Sequence, residues 1–201
     1  MENPSFDPEH DYVPDINPEI PYPEVKDPGT AETEVSNSPI GIRHDHDGTM
    51  EIITTELPYG CTMQGWLDDA QPDGSRIYNA GYVRVNPVLR KQGIGQRLIR
   101  ASLAYAIDHD ATKLRAEVVN EASLKVYAEL LGHELEYQDD DPSSTGHKLV
   151  DLPITNKQAI ASLDRAGKVE VNSEDRKHGL IVSADLSDLD VSDWERPTAQ
   201  G

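Results

Sequence analysis

The segment 83–99 constrains this chain more than any other. It reads Val-Arg-Val-Asn-Pro-Val-Leu-Arg-Lys-Gln-Gly-Ile-Gly-Gln-Arg-Leu-Ile, the pattern of a β-strand, a basic glycine-bearing turn and a helix. Gly93 and Gly95 allow backbone angles closed to other residues and let a ligand approach the main chain. The turn opens straight into a helix whose first N–H groups have no internal acceptor. Those donors and the positive end of the helix dipole suit a phosphate or pyrophosphate. Arg90, Lys91 and Arg97 add formal positive charge.

Charge distribution points the same way. The net charge is −19, yet residues 74–107 contain no Asp or Glu and carry Arg76, Arg84, Arg90, Lys91, Arg97 and Arg100. A positive island in an acidic protein attracts a small polyanion; a plain helix start with a solvated basic face would give the same charges. Two glycine loops are excluded. A dinucleotide loop needs a third glycine where Leu98 stands, and the spacing of a nucleotide P-loop is absent.

The remaining chain is read around this segment. Residues 1–40 hold eight of the 14 prolines and ten acids against one lysine, Lys26, so a disordered, solubilising tail is expected there. Arg43-His44-Asp45-His46-Asp47-Gly48 alternates His and Asp without the spacing of a calcium loop or a helical zinc motif. It is expected to be a polar turn, and no metal is expected. Strands are expected over 50–57, 61–67 and 76–85, separated by the Pro58-Tyr59-Gly60 turn and a loop at 68–75. Three strands with no helix between them imply an antiparallel meander. The helix after the turn should run over 93–108, burying Ile94, Leu98, Ala101 and Tyr105 with Ile99, Leu103 and Ala106 beside them. A strand over 114–119 and a helix over 120–132 follow, the helix capped by Asn120 and ended by Gly132. A hairpin from 133–137 and 147–152, a helix over 155–166, and short strands over 168–172 and 179–186 are weaker expectations. Residues 185–195 alternate acids with Leu186, Leu189, Val191 and Trp194 and read as a frayed acidic end, or alternatively as a partner-binding segment.

At 201 residues the chain has room for one domain with tails. A single cysteine, Cys61, excludes an internal disulfide framework and a cysteine-built zinc site. The acidic N-terminal segment has no signal-peptide pattern, and no apolar run reaches membrane-spanning length, so a soluble cytoplasmic protein is expected. The acidic balance argues against nucleic-acid and anionic-membrane partners. A protein partner would come through the acidic tails.

Two motifs carry a family resemblance. Arg90-x-x-Gly93-x-Gly95, after a Val-x-Val-x-Pro strand end, resembles the acetyl-CoA loop of the GCN5-related N-acetyltransferase (GNAT) family, R/Q-x-x-G-x-G/A. Asn120-x-x-Ser123-x-x-x-Tyr127, followed by Leu131-Gly132-His133, resembles that family's N-x-x-A/S-x-x-x-Y helix, with His133 replacing the usual aromatic. The resemblance spans roughly 50–152. It implies an α+β, GNAT-like acyl-CoA N-acyltransferase fold: a central mixed, mostly antiparallel sheet flanked by helices, preceded by a disordered tail. The implied division is a tail over 1–40, an acetyltransferase domain over 41–152 and an accessory acidic extension over 153–201.

The same resemblance implies main-chain contacts from Val83 and Val85 to the pantetheine of acetyl-CoA. It assigns Arg90, Lys91, Gln92, Gly93, Ile94, Gly95 and Gln96 to the pyrophosphate, and Asn120 and Ser123 to the cofactor side of the second motif. Tyr127 would be the general acid for the departing thiolate, a role that a phenol near pKa 10 suits. A general base is not determined. The family's strand glutamate would fall near Asn79, so the base is Glu117, a water chain, or unnecessary for a weakly basic amine. The family's first two helices are not evident before Met50, which implies an open acceptor site. The implied activity is acetyl transfer from acetyl-CoA to a primary amine of a small molecule or protein. The alternative is a non-catalytic acyl-CoA-binding regulatory or structural module.

Overall fold

The computed structural model describes residues 21–47, 50–118, 121–130, 169–172 and 180–199. Its first element is a helix, α1 (Pro28–Asn37), which begins where the chain chemistry favours one. The Asp27 side chain accepts from the N–H groups of Gly29 and Thr30 at 3.1 and 3.3 Å, and Pro28 occupies the first turn, where its missing N–H costs nothing. Ala31 and Val35, one turn apart, are buried with Ile40. The expectation of a disordered tail over 1–40 is therefore corrected for 28–40, because average composition hid a capped helix with two core residues. Residues 1–20 lie outside the described residues.

Strands β1 (Gly41–Asp47), β2 (Met50–Leu57), β3 (Cys61–Leu67) and β4 (Ile77–Arg84) form an antiparallel meander. The His/Asp run at 43–47 is thus a strand and not a polar turn. Paired residue for residue with β2 from Gly41↔Glu56 to Asp47↔Met50, it gains a full ladder that outweighs its weak strand propensity. Helix α2 (Ile94–Asp108) then leads to β5 (Lys113–Val118), parallel to β4. Helix α3 (Glu121–Leu130), β6 (Val169–Asn172), β7 (Leu180–Asp185) and β8 (Thr198–Ala199) complete the described elements. Among the described residues the sheet has eight strands in the order β6-β7-β5-β4-β3-β2-β1-β8. It is mixed and mostly antiparallel, as expected.

Helix α2 lies on the sheet with Ile94, Leu98, Ile99, Ala101, Leu103 and Ala106 buried, as its periodicity gives, while Tyr105, expected in the same stripe, is only partly buried at its edge. Beneath it, Cys61, Met63, Gly65 and Leu67 face inward and alternate with Thr62, Gln64 and Trp66 on the other face. A buried hydrogen bond of 2.7 Å between Thr55 of β2 and Ser102 of α2 fixes their contact.

The C-terminal part is not accessory. Strands β6 and β7 extend the sheet beyond β5, and β8 pairs with β1 at the opposite edge. Nor is 185–195 a frayed end. Leu186 and Val191 are buried, Trp194 packs against the core, Arg196 bridges Asp108 at 2.6 Å, and Glu195 bridges Arg97 at 2.7 Å. The apolar residues among the acids supply the anchoring. The hairpin expected over 133–152 and the helix expected over 155–166 lie outside the described residues. No described helix is long and apolar enough to cross a membrane.

Candidate active site

Strands β4 and β5 pair only from Ile77↔Lys113 to Ala80↔Ala116. Beyond that point β4 continues beside β3 as far as Arg84, and β5 continues beside β7 as far as Val118. The two central strands therefore part after Ala80, leaving an opening edged by β4 backbone groups with no ladder partner. The cause lies in β4. Met63 pairs with Val83 and Gly65 with Ala80, so Gly81 and Tyr82 together oppose Gln64. Such a β-bulge bends its strand and raises the local twist. Glycine fits position 81 closely, since a Cβ there would lie 3.0 Å from the Gln64 carbonyl oxygen and 3.3 Å from the Trp66 ring, so a larger residue would push its neighbours apart. The sequence reading missed this bulge, although a lone glycine in a strand signals one.

The turn after β4 sits at the same end of the sheet. Asn86, buried, holds its entry: its Oδ1 accepts from Val88 N–H, and its Nδ2 donates to the carbonyls of Pro23 and Tyr59 at 3.1 and 3.2 Å. Arg90 Nε donates to the Val85 carbonyl at 3.2 Å. Lys91 and Gly93 take positive φ angles of 68° and 77°. The first helical bond runs from Arg97 N–H to the Gly93 carbonyl, so the N–H groups of residues 94–96 remain open to a ligand. A Cβ at Gly95 would meet the Val85 and Val83 methyls at 3.7 and 3.8 Å. Those two side chains therefore pack on the helix start while their backbone borders the opening.

The basic island divides once folded. Arg97 binds Glu195 and donates to the Val35 and Ser38 carbonyls at 2.8 and 2.7 Å, so it buttresses the helix and is engaged away from the glycine turn. Arg76 lies 3.5 Å from Glu51 and donates to the carbonyls of Asp68 and His109. Arg90, Lys91 and Gln92, all exposed, stand at the turn itself. Gln96 donates to Glu129 of α3 at 3.3 Å and ties α2 to the second motif.

Within α3, Tyr127 is 3% exposed. Burial pushes its hydroxyl well above the ordinary phenol range, and neighbouring Tyr78 adds to the shift. Ser123, one turn earlier, is half-buried and has a partner. Asn120 lies outside the described residues. Among the described residues no group of three metal-ligating side chains occurs.

Residues 59–133 match the model of the acetyltransferase (GNAT) family. This segment is a GNAT domain. It takes in the bulged strand, the glycine turn and the second motif, and it supports acyl-CoA-dependent acyl transfer as the activity of the fold. No curated protein matches the sequence. Among solved structures, a Bacillus subtilis acetyltransferase in complex with CoA is similar at 13% identity, covering 73% of this chain and 99% of its own, with TM-score 0.38. A GNAT acetyltransferase from Elizabethkingia anophelis with acetyl-CoA bound gives 12% identity, 75% and 100% coverage and TM-score 0.38. Tetrahymena GCN5 gives 11%, 69% and 69%, and 0.35.

Proposed function

We propose that the protein transfers the acetyl group of acetyl-CoA to a primary amine. The observation that carries this reading is the parting of β4 and β5 directly beside an amide-lined glycine turn. The turn amides at 94–96, with Arg90 and Lys91, suit the pyrophosphate. Backbone groups of Val83 and Val85 suit the pantetheine, which would run through the opening as an added partial strand. The second motif, with Ser123 and Asn120 at the start of α3, would flank the same arm.

Chemically, the amine lone pair attacks the thioester carbonyl carbon. The tetrahedral oxyanion sheds one N–H proton to solvent and collapses with cleavage of the C–S bond, and the thiolate takes a proton from the Tyr127 hydroxyl, which a solvent proton then restores. Burial bears on this last step. A phenol shifted upward is a weaker acid than a thiol in water, so the transfer comes near balance only if the sulfur is desolvated beside it at least as strongly. The same burial keeps Tyr127 protonated and ready to donate throughout the neutral range.

Calorimetric titration with acetyl-CoA, together with thiol release in the presence of an amine panel, tests the reading. Saturable binding is expected, with turnover that falls at least tenfold in Tyr127→Phe. Binding without turnover would instead favour the regulatory cofactor-binding module, and absence of binding by the folded protein would overturn both.

A further inference from the structure

The segment that precedes β1 grips the glycine turn on both sides. Before the turn, Asn86 Nδ2 donates to the Pro23 and Tyr59 carbonyls at 3.1 and 3.2 Å, while its Oδ1 accepts from Val88 N–H at 3.3 Å. After the turn, Arg97 donates to the carbonyls of Val35 in α1 and of Ser38, its C-cap. Two more contacts fasten the same segment. The Tyr22 ring lies 4.0 Å from the Arg84 guanidinium at the end of β4, and Glu34 of α1 accepts from the Tyr59 hydroxyl. Tyr59 has a left-handed φ of 63°, a backbone that a non-glycine residue keeps only when its surroundings fix it. Pro23 packs so closely on Gly60 that a Cβ at 60 would fall 2.9 Å from Pro23 Cδ. All the gripping residues, 22, 23, 34, 35 and 38, precede the stretch 59–133 that matches the GNAT family.

Asn86 makes the grip more than a prop. It is 3% exposed, and its amide has one workable orientation, since a flip would set Oδ1 against two carbonyls and Nδ2 against an N–H. Both Nδ2 protons are committed, one to the N-terminal segment and one to the β2–β3 turn. If the segment leaves, a buried donor loses its acceptor, which costs more than an ordinary hydrogen bond contributes. Rotating the amide towards water regains a partner only by releasing Val88 N–H, and with it the short helical turn Pro87–Leu89 that leads into Arg90 and Lys91. Lys91, whose φ is 68°, keeps that strained backbone only while its lead-in is fixed.

Resting on the acetyltransferase reading above, we propose that docking of residues 22–38 and filling of the glycine turn by acetyl-CoA are linked equilibria, with Asn86 the positioning residue that links them. The 94–96 amides converge on one anion only while both sides of the turn are held. A ligand on those amides therefore favours the docked segment, and release of the segment lowers acetyl-CoA affinity by the same factor. The segment is thereby a regulatory element of the acetyl-CoA site: whatever draws residues 22–38 away weakens the turn's hold on its anion.

Hydrogen exchange and calorimetry on the full chain test the linkage. In wild type, saturating acetyl-CoA is expected to slow exchange of the amides over 24–38 by about fivefold or more. Asn86→Ala removes all three side-chain bonds without a change of charge. It should abolish that slowing and raise the Kd for acetyl-CoA about tenfold. Val35→Asn sets a polar amide where a side chain 1% exposed now packs, and should release the segment and raise Kd by a similar factor. The double variant should bind no more than about twofold worse than either single one, because each breaks the same link. A purely structural brace would lower Tm in both variants yet leave exchange over 24–38 the same with and without acetyl-CoA. That unchanged exchange in wild type, a measurement that needs no variant to fold, overturns the linkage, as do additive losses in the double variant. Failure of wild type to bind acetyl-CoA overturns the acetyltransferase reading itself, and the linkage with it.

Discussion

Arg97 and Glu195, 98 residues apart in sequence, form a two-point ion pair, with Nε–Oε2 at 2.7 Å and Nη2–Oε1 at 2.8 Å. Arg97 also donates to the α1 and post-α1 carbonyls of Val35 and Ser38, while Glu195 accepts from Ile40 N–H at 3.3 Å. One contact thus joins α2, α1 and the C-terminal segment. The Arg97 hydrogen bond holds the Glu195 carboxyl below its ordinary 4.5. A depressed carboxylate stabilises above its unfolded pKa and loses that contribution as pH falls through the folded value. Glu195→Gln should therefore lower Tm at pH 7, by an amount worth about 1 kcal/mol given the pair's partial exposure. The difference from wild type should start to shrink as pH falls below about 4.5 and vanish only below the folded pKa, as thermal unfolding from pH 8 down to about pH 2 would show.

At Gly93, φ is +77°, and a Cβ there would meet no atom of the described residues within 4 Å. Asn and Asp tolerate this backbone comparably and are nearly isosteric. Gly93→Asn should keep acetyl-CoA binding within about threefold, whereas Gly93→Asp should weaken it by tenfold or more, about 1.4 kcal/mol. Calorimetry on the pair separates charge at the turn from backbone strain; equal losses in both would point to strain alone.

Position 65 has the opposite constraint. A Cβ there would fall 2.7 Å from Tyr78 Cε2 and Cζ, and Tyr78 is fully buried. Gly65→Ala should cost about 1–3 kcal/mol through overpacking, read from urea midpoints. The Tyr78 hydroxyl has no hydrogen-bond partner, with Ser102 nearby already bonded to Thr55. Tyr78→Phe should therefore leave stability unchanged or raise it by about 1 kcal/mol.

Gly95 is free of both constraints. Its φ is not positive, and a Cβ would make ordinary contacts with Val83 and Val85. Gly95→Ala should stabilise α2 by about 0.5–1 kcal/mol and retain acetyl-CoA binding. A thermal shift with a matched titration checks both.

Local chemistry made much of this legible in advance. The alternating strands of the meander, the amphipathic stripe of α2 and the turn around Gly93 each rest on interactions within a few residues, which spacing encodes directly. Both C-terminal strands, β6 and β7, also fell where alternation put them. Helix α1 did not, because two core residues among many acids and prolines carry little periodic signal until α2 and the sheet supply a surface to bury them. The His/Asp run failed as a turn for a related reason: ladder bonds from β2 decide its conformation, and a partner strand leaves no mark in the run itself.

By itself, then, the sequence determined the glycine turn, the strands and helix on either side of it and the likeness of 59–133 to the GNAT family, since glycine torsions, hydrophobic period and motif spacing are local. Tertiary structure alone decided which arginines remain at the turn, where β4 and β5 part, and which segment Asn86 binds. Ion pairing, register and burial are long-range relations, settled only when residues such as Arg97 and Glu195, or Asn86 and Pro23, are brought together.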